Sequence, residues 1–352
     1  MPAQDIVSAP LPNTAIGELL CLAADEPNRT AQQRRALQRA GRAAFRWPME
    51  ASELVAKGSS LTELRFVGPW LASLIQEWIR EVPQVAVPPP IRRDFLSRTD
   101  VDRILGSTSP RERVRGDLQT HTRGSDGTGS IRDMALAAID RELEYVAITD
   151  HSKGLAIANG MNESQLTRQG EEIRALNADF ECKGFRILRA VEMNLSPTGE
   201  GDLDLQFLAG LDLVIGAFHS RLRVTEDQTD RYLAALSNPS IHVLAHPRGR
   251  IFNFRTGLNA DWQRVFEFAR ARDRAIEIDG YPDRQDLDIE LLKLARDTGV
   301  LISFGSDAHA PAQLAFLDFS IASARRAGIP GSRILNCKTV DQLLAWTAGL
   351  RT

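Results

Sequence analysis

Five of the six histidines in this 352-residue chain stand in short segments that also carry acidic or amide side chains. A single histidine is usually a hydrogen-bonded core residue, but five interleaved with carboxylates favour metal binding. Imidazole and carboxylate together suit Zn²⁺, Mn²⁺ or Fe²⁺ rather than Ca²⁺, which prefers oxygen alone. The segments predict eight metal-binding and catalytic residues: His121, Asp126, His151, Glu192, His219, His246, Asp307 and His309.

Eight ligands are more than one ion needs. Two or three divalent ions about 3.5–4 Å apart lower the pKa of a shared water and hold the attacking and leaving oxygens of a phosphoester. The residues therefore predict a multinuclear centre for phosphoester hydrolysis. The sixth histidine, His242, is expected to be a strand residue without a catalytic role.

Each predicted ligand stands in or near a compact apolar segment that is typical of a buried strand. Helical patterns lie between these segments, and Ser130 with Asp133 forms a capping box that begins one helix. Parallel strands alternating with helices predict a distorted (β/α)7 barrel, whose active site lies at the carboxyl ends of the strands. The predicted strands are 117–122, 145–150, 187–194, 213–218, 242–245, 275–279 and 301–306.

Residues 13–82 show helical periodicity throughout, with a helix-turn-helix pattern around 66–70. Pro83 and the run 88–90 interrupt it, as a semi-rigid spacer would. We therefore predict a helical domain at 1–82, a Pro-rich linker and charged segment at 83–113, and a barrel domain at 114–352. A stripe of arginines follows one face of the second helix at helical spacing: Arg35, Arg39, Arg42 and Arg46.

The bulk composition excludes several classes of protein. The net charge of -3 provides no general attraction to nucleic acid, so any basic binding surface has to be local. Three widely separated cysteines indicate neither a disulfide framework nor a thiolate zinc site, which is typical of a reducing cytoplasm. The sequence shows no secretory signal pattern and no long apolar span, so a cytoplasmic location without membrane contact is expected.

Residues 114–352 resemble a PHP (polymerase and histidinol phosphatase) domain, most closely the version attached to bacterial family X DNA polymerases. The resemblance rests on runs such as Gly116-Asp117-Leu118-Gln119 and Ile148-Thr149-Asp150-His151-Ser152. It implies three ions: one bound by His121, Glu192 and Asp307, a second by Glu192, His219 and His246, and a third by Asp126, His151 and His309. Gln119 stands where many members have a ninth ligand, a histidine; its neutral amide is a weaker ligand.

The region 13–82 similarly resembles the helix-hairpin-helix domain that opens family X polymerases and contacts DNA. The family hairpin is Gly-x-Gly; here Gly68 remains, and Pro69 lacks the amide hydrogen that would approach a phosphate. The arginine stripe is the alternative DNA-binding surface, although charged helix faces are commonly just solvated. Residues 69–82 lack the lysine of the related lyase, so no lyase activity is expected. The thirty or so residues after Val82 are too few for a polymerase palm and fingers.

Basic residues follow several predicted ligands and are candidates for binding a substrate phosphate. Arg221 and Arg248 are the preferred candidates, and Tyr281 is a candidate for stacking on a base or sugar. Surface arginines without a function, and an aromatic ring used only for packing, are the alternatives. The further candidates are Lys153, Arg223, Arg250 and Arg284.

Three functions remain open from the sequence. The first is a metal-dependent phosphoesterase acting on nucleic acid 3′ ends, DNA above all, as a 3′-5′ exonuclease or 3′-phosphatase in DNA repair. The second is a small-molecule phosphomonoesterase of the histidinol phosphatase type. The third is a non-catalytic adaptor that binds DNA ends. The ligands alone imply a phosphoester, and the resemblance implies the nucleic acid.

Overall fold

The computed structural model describes residues 10–106 and 113–350. The chain divides into two compact units, Met1–Gly106 and Ser107–Thr352. The first nine residues of the predicted helical domain and residues 107–112 of the predicted linker lie outside the described residues, as do the last two of the chain. No helix in the described ranges is both long and apolar enough to cross a membrane.

The described part of the first unit is helical, as predicted. Its second helix begins at a capping box in which the Thr30 and Gln33 side chains and backbone amides bond reciprocally. Leucine and alanine side chains of the first two helices are buried against one another and against Trp47. The α-helices are α1 (Asn13–Asp25), α2 (Ala31–Ala44), α3 (Ala51–Ala56), α4 (Pro69–Glu81) and α5 (Arg98–Gly106).

The predicted hairpin around residues 66–70 lies between one 3₁₀ turn, Leu61–Glu63, and α4. Gly68 is the N-cap of α4, and Pro69 takes its first helical position, where the missing amide hydrogen breaks no helical bond. Phe66 has a left-handed backbone with φ of 66°. The helix-hairpin-helix identity of this segment stays a prediction.

Most of the predicted linker is part of the first compact unit. Arg92 forms a two-pronged ion pair with Glu18, with both nitrogen-oxygen distances 2.8 Å, and both side chains are almost buried. The Arg98 amide donates to the Phe45 carbonyl at 2.8 Å, and α5 follows. Proline-rich composition does not distinguish a free spacer from an extended segment fixed by such long-range contacts.

The second unit contains one sheet of seven parallel strands in the order of the sequence. A parallel bridge between Thr120 and Ala308 joins the first and last strands, and the Asp307 amide donates to the Gln119 carbonyl at 3.1 Å. These contacts close the sheet, so the predicted (β/α)7 barrel is confirmed. The strands are β1 (Gly116–Thr120), β2 (Tyr145–Ile148), β3 (Arg186–Leu195), β4 (Leu213–Phe218), β5 (Val243–Leu244), β6 (Ala275–Asp279) and β7 (Leu301–Gly305).

Helices follow the strands, and their apolar sides bury the outer surface of the sheet. Every residue of six strands is buried, as expected where a parallel sheet is covered on the outside and filled within. Strand β5 contributes only two residues to the ladder. The helices are α6 (Ile131–Asp140), α7 (Glu163–Phe180), α8 (Leu205–Ala209), α9 (Thr229–Ser237), α10 (Trp262–Ala271), α11 (Ile289–Thr298), α12 (Leu317–Ala327) and α13 (Val340–Gly349).

Candidate metal centre

The carboxyl ends of six strands bring the eight predicted ligands into one cluster. Glu192 lies within β3, and the other seven lie just beyond their strands or in the loops that follow. Since parallel strands place their carboxyl ends at the same mouth of a barrel, residues far apart in sequence meet there. His121 and His309, separated by 188 positions (309 − 121), have ring centroids 4.4 Å apart.

Glu192 is the centre of this cluster, because its carboxylate contacts four imidazoles. Oε1 lies 2.7 Å from His246 Nε2 and 3.1 Å from His219 Nε2. Oε2 lies 3.1 Å from His151 Nδ1 and 3.3 Å from His121 Nε2. The Glu192 side chain has no solvent exposure. A buried carboxylate is normally paired with cations or coordinates metal, so Glu192 with its four imidazole neighbours is suited to hold a metal ion.

The other two carboxylates each contact histidines at the edge of the cluster. Asp307 Oδ1 lies 3.1 Å from His121 Nε2. Asp126 Oδ1 lies 3.6 Å from His151 Nε2 and 3.4 Å from His309 Nε2. Ligand atoms of three groups lie within 4.8 Å of one another: His121, Asp126, His151 and His309; His151, Glu192 and His219; His121, Glu192 and Asp307. These groups share members, as a multinuclear centre requires.

The donor atoms fit divalent metal ions. Among the described residues, His121 Nε2, Glu192 Oε2 and Asp307 Oδ1 are buried and make no hydrogen bond, although they lie within 3.3 Å of their neighbours. Leaving such polar atoms unsatisfied costs free energy, and a cation between them would satisfy all three. Nitrogen with oxygen ligation suits Zn²⁺, Mn²⁺ or Fe²⁺.

The protein groups alone strongly shift one another's pKa values. Burial opposes the charged form of His121, but its contacts with Asp307 and Glu192 outweigh this and raise its pKa well above the usual value. Burial likewise opposes ionisation of Glu192, yet the surrounding histidines lower its pKa well below the usual value. His151 is different, since burial dominates and lowers its pKa to about 4. The cluster therefore holds anionic carboxylates and a neutral His151 imidazole, both competent ligand forms.

Supporting hydrogen bonds orient several ligands. The Asp150 carboxylate accepts from the Thr122 amide at 2.7 Å, the Ser125 hydroxyl at 2.6 Å and the Gln169 amide group at 2.6 Å. These bonds fix the loop that leads to Asp126. Asp150 was not predicted to be functional. Its place immediately before the predicted ligand His151 was a signal that it supports the metal site.

Two ligand histidines are also oriented by their second ring nitrogen. His219 Nδ1 lies 3.1 Å from Asn194 Oδ1, and His309 Nδ1 lies 2.7 Å from the Asp307 carbonyl oxygen. A donor at Nδ1 leaves Nε2 as the nitrogen with a lone pair for a metal. In both residues Nε2 is the atom that faces a cluster carboxylate.

Buried polar side chains continue below the cluster, inside the barrel. Gln119 is fully buried, and neither atom of its amide group has a hydrogen-bond partner in the described ranges. Glu277 accepts from the His246 amide at 2.7 Å, so it supports the backbone that carries this ligand. Burial, with the nearby Asp307 charge, raises the pKa of Asp279 to about 8. Neither Glu277 nor Asp279 was predicted to belong to the site.

Arg284 brings a cation to the centre. Its Nη1 donates to Asp307 Oδ2 and lies 3.6 Å from Asp279 Oδ2. Although burial opposes it, the charges of these two carboxylates raise the pKa of the guanidinium. The side chain retains 30% exposure, so part of it remains open to a substrate. Tyr281 lies beside it, edge-on to His309 with ring centroids 6.4 Å apart.

The other basic candidates fall into two groups. Arg221 is exposed and makes no ion pair or hydrogen bond with the described residues. Arg223 is exposed and lies 4.4 Å over the Phe254 ring. The cations of the remaining three approach carboxylates: Lys153 pairs with Glu163 at 2.6 Å, Arg248 donates to Asp288, and Arg250 lies 3.9 Å from Asp288. A position close to a ligand in sequence therefore does not separate a phosphate-binding arginine from one that stabilises a loop.

In the first unit, the structure exposes most of the predicted DNA-binding residues. Arg35, Arg39 and Arg42 are exposed on α2, Arg46 is half-buried just beyond it, and Gly68 is exposed at the start of α4. In the second unit, His242 lies apart from the metal cluster. Its Nδ1 accepts from the Val214 amide at 2.9 Å. The prediction that His242 is a strand residue is wrong, because β5 begins one residue later, at Val243.

The chain matches one protein family and several known proteins. The PHP domain family matches residues 117–303. The chain is 37% identical over 263 residues, 74% of its length, to DNA polymerase/3′-5′ exonuclease PolX of Bacillus subtilis (strain 168), and this match spans 45% of that protein. A probable phosphatase of Syntrophotalea carbinolica is 27% identical over 65% of this chain and 93% of its own. Histidinol phosphate phosphatase of Lactococcus lactis, solved with zinc, L-histidinol and phosphate, aligns over 62% of this chain and 95% of its own, with 17% identity and a TM-score of 0.45.

The barrel and its histidine and carboxylate cluster define a metal-dependent phosphoesterase class. The chain belongs to the PHP family, because this family matches more than half of its residues. The predicted resemblance to the PHP domain of family X polymerases is confirmed by the PolX match. The chain spans less than half the length of that relative.

Proposed function

We propose that this chain hydrolyses phosphoester bonds at nucleic acid 3′ ends, as a 3′-5′ exonuclease or a 3′-phosphatase in DNA repair. The choice of nucleic acid as the substrate is supported by the 37% identity, over 74% of the chain, with a protein named as a DNA polymerase and 3′-5′ exonuclease. The metal cluster supports the phosphoester chemistry. The exposed arginines of α2 support a strand of phosphates as the ligand.

Divalent ions, when bound, stabilise the charge of the reacting phosphoryl group and acidify a water molecule. The chain's own residues position and polarise the substrate. Glu192, Asp126 and Asp307 would hold the cations, and their negative charges would limit the net positive charge of the centre. Arg284, fixed by Asp307 and partly exposed, donates to a phosphoryl oxygen. Tyr281 packs against the terminal sugar or base beside His309.

The direct test is hydrolysis of a 5′-fluorescein oligonucleotide that ends in a 3′-hydroxyl or a 3′-phosphate. Wild-type protein loaded with Mn²⁺ should shorten the first or dephosphorylate the second, and the His246→Ala variant should do neither. His242→Ala is the matched control, since it removes a buried histidine that lies outside the cluster. Lack of turnover with Mn²⁺, Zn²⁺ and Fe²⁺ would contradict the proposal, and strand binding without turnover would identify the adaptor instead.

A small-molecule phosphomonoesterase is the second candidate. It is favoured by the relatives named probable phosphatase, which this chain matches over 88–93% of their own length. Turnover of histidinol phosphate and of p-nitrophenyl phosphate should be measured beside the two oligonucleotides under the same metal loading. A kcat/KM for a free monoester above that for both oligonucleotides would select this candidate.

A further inference from the structure

A tight loop in the barrel unit begins at Ile251 and ends at Arg255. The backbone groups of these two residues bond reciprocally, with nitrogen-oxygen distances of 3.0 and 3.1 Å. Within the loop, the Phe252 amide donates to the Asp283 carbonyl at 2.7 Å. Because Asp283 immediately precedes Arg284, this bond holds the loop beside the segment that brings a cation to the metal centre.

The Arg255 side chain is a half-buried cation that forms no ion pair with a carboxylate of the described residues. Its Nε donates to the Gly249 carbonyl, and this is its one side-chain hydrogen bond in the described ranges. Burial lowers the pKa of the guanidinium, and the nearby charges of Arg284 and Arg223 lower it further, whereas Asp286, the smallest influence, raises it. A half-buried cation near other cations favours an anion between them.

Arg223 comes to the same place from the loop that follows His219. Its guanidinium carbon lies 4.4 Å from the ring centroid of Phe254, which belongs to the tight loop and is 47% exposed. Arg223 is exposed and has no carboxylate partner within the part of the chain that the structure describes. A guanidinium that rests on a ring keeps its N–H groups available at its edge. Phe254 therefore positions this cation without neutralising it.

The three arginines have different relations to the metal centre. Arg284 donates to the predicted ligand Asp307, and the proposed function gives it the phosphoryl group that reacts. Arg255 and Arg223 form no hydrogen bond or ion pair with a predicted ligand among the described residues. They are thus available to a different anionic group of the substrate. A nucleic acid strand carries one phosphate for every nucleotide, whereas a simple phosphomonoester carries a single one.

We propose that Arg255 and Arg223 form a subsite for a second phosphate of the substrate, next to the phosphate that reacts, with Phe254 positioning Arg223. The inference rests on the proposed function for its substrate class, a nucleotide chain. It deepens that function, because binding of the second phosphate distinguishes a strand from a free monoester. Arginine suits this task, since its planar fork of N–H donors matches the oxygens of a phosphate.

The test uses substrate pairs that differ by one 5′-phosphate: TpT and pTpT for the exonuclease, Tp and pTp for the 3′-phosphatase, where T is thymidine and p is phosphate. With the full chain loaded with Mn²⁺, the added phosphate should raise kcat/KM by about 10- to 150-fold, the range for one hydrogen bond to a charged group. Arg255→Ala should remove most of this gain and leave the kcat/KM of TpT or Tp unchanged. Arg223→Ala, which breaks no ion pair of the described residues, should also reduce the gain.

Arg326→Ala is the matched control, because it removes an exposed arginine in the last turn of α12, and it should keep the full gain. Equal losses by Arg255→Ala on both members of a pair would overturn the inference, since the residue would then only support the loop after His246. A wild type without any gain would overturn it too. If the wild type hydrolyses none of the four nucleotides, the proposed function is wrong, and the ratio of their Kd values, measured by isothermal titration calorimetry in Mn²⁺, decides the inference.

Discussion

The two compact units place their charged residues in contrasting environments, buried in the barrel and exposed in the helical unit. In the barrel, Glu192 and Asp307 are fully buried with histidines, and their pKa values lie below the usual range despite that burial. In the helical unit, Arg35, Arg39 and Arg42 of α2 are exposed to water, and among the described residues one ion pair, Arg92 with Glu18, is almost buried. Concentrated buried charge requires a compensating ligand, whereas exposed charge attracts one from solution. The contrast is consistent with the proposal that the barrel carries the chemistry and the exposed arginines of the helices bind nucleic acid.

The largest expected effect comes from the shared carboxylate of the barrel. Glu192→Gln keeps the shape but removes the charge that four histidines face. Phosphoesterase activity should fall by at least about 10³-fold, beyond the 10–100-fold typical of residues that only support a ligand. Metal content per folded chain, measured by mass spectrometry after gel filtration, should fall with it. If Glu192→Gln retained full metal content and full activity, the buried charge of the barrel would not be needed for metal binding.

Buried charge in the helical unit should instead affect stability alone. Glu18→Ala leaves the almost buried Arg92 cation without its two-pronged partner. We expect a loss of about 3 kcal/mol in the free energy of unfolding, the lower end for a broken buried pair because Arg92 keeps other contacts. Urea unfolding followed by circular dichroism measures it. The turnover of p-nitrophenyl phosphate per folded chain should not change.

A smaller loss is expected where charge in the barrel only supports a ligand. Asp150→Asn retains one carbonyl-type acceptor for the Thr122 amide but loses the second carboxylate oxygen. Activity should fall by about 10–100-fold. Asp230→Asn, which changes a carboxylate on α9, is the control and should behave as wild type. If Asp150→Asn is as inactive as Glu192→Gln, Asp150 does more than orient the loop to Asp126.

A pH dependence confined to alkaline solution is expected in the helical unit. Burial raises the pKa of the Cys21 thiol from 9.0 to about 12. The folded state thus holds this proton more tightly than the unfolded state, so the contribution is complete below pH 9 and is lost as the pH rises toward 12. The free energy of unfolding should fall by up to about 1.4 kcal/mol per pH unit in this window. Cys21→Ala should remove that part of the slope, and an unchanged slope would refute the assignment.

Much of the barrel was predictable because buried strands appear in the sequence as short, compact apolar segments. The predicted bounds of β4 and β6 match the structure, while other strands differ by one to a few residues at their ends. The ligand cluster was predictable because its histidines and carboxylates repeat at strand ends. The buried roles of Glu277 and Asp279 were not, since facing inward is a property of the closed barrel. The same holds for Arg248, whose partner Asp288 is 40 positions away.

The helical unit was less predictable in its outline. Its helices follow from caps and apolar spacing, but the Arg92 ion pair that fixes the predicted linker joins residues 74 positions apart. The positive φ of Phe66 likewise has no local signature, because sequence patterns associate that backbone with glycine. Local propensity indicates which backbone conformation a residue prefers. Long-range contacts determine where a residue adopts a different one.

The length of β5 has a consequence for motion at the metal centre. Strand β5 has two residues, Val243 and Leu244, whereas β3 extends over ten. The flanking His242 and Ala245 amides add bonds to the Val214 and Gly216 carbonyls at 3.0 and 2.9 Å, and His246 follows directly. Segments with few ladder bonds open at lower free energy than the surrounding sheet. We therefore expect the β5 end, which leads to His246, to open locally at a lower free energy than β3. The rate at which metal ions exchange with solvent would then depend on how often this short strand opens.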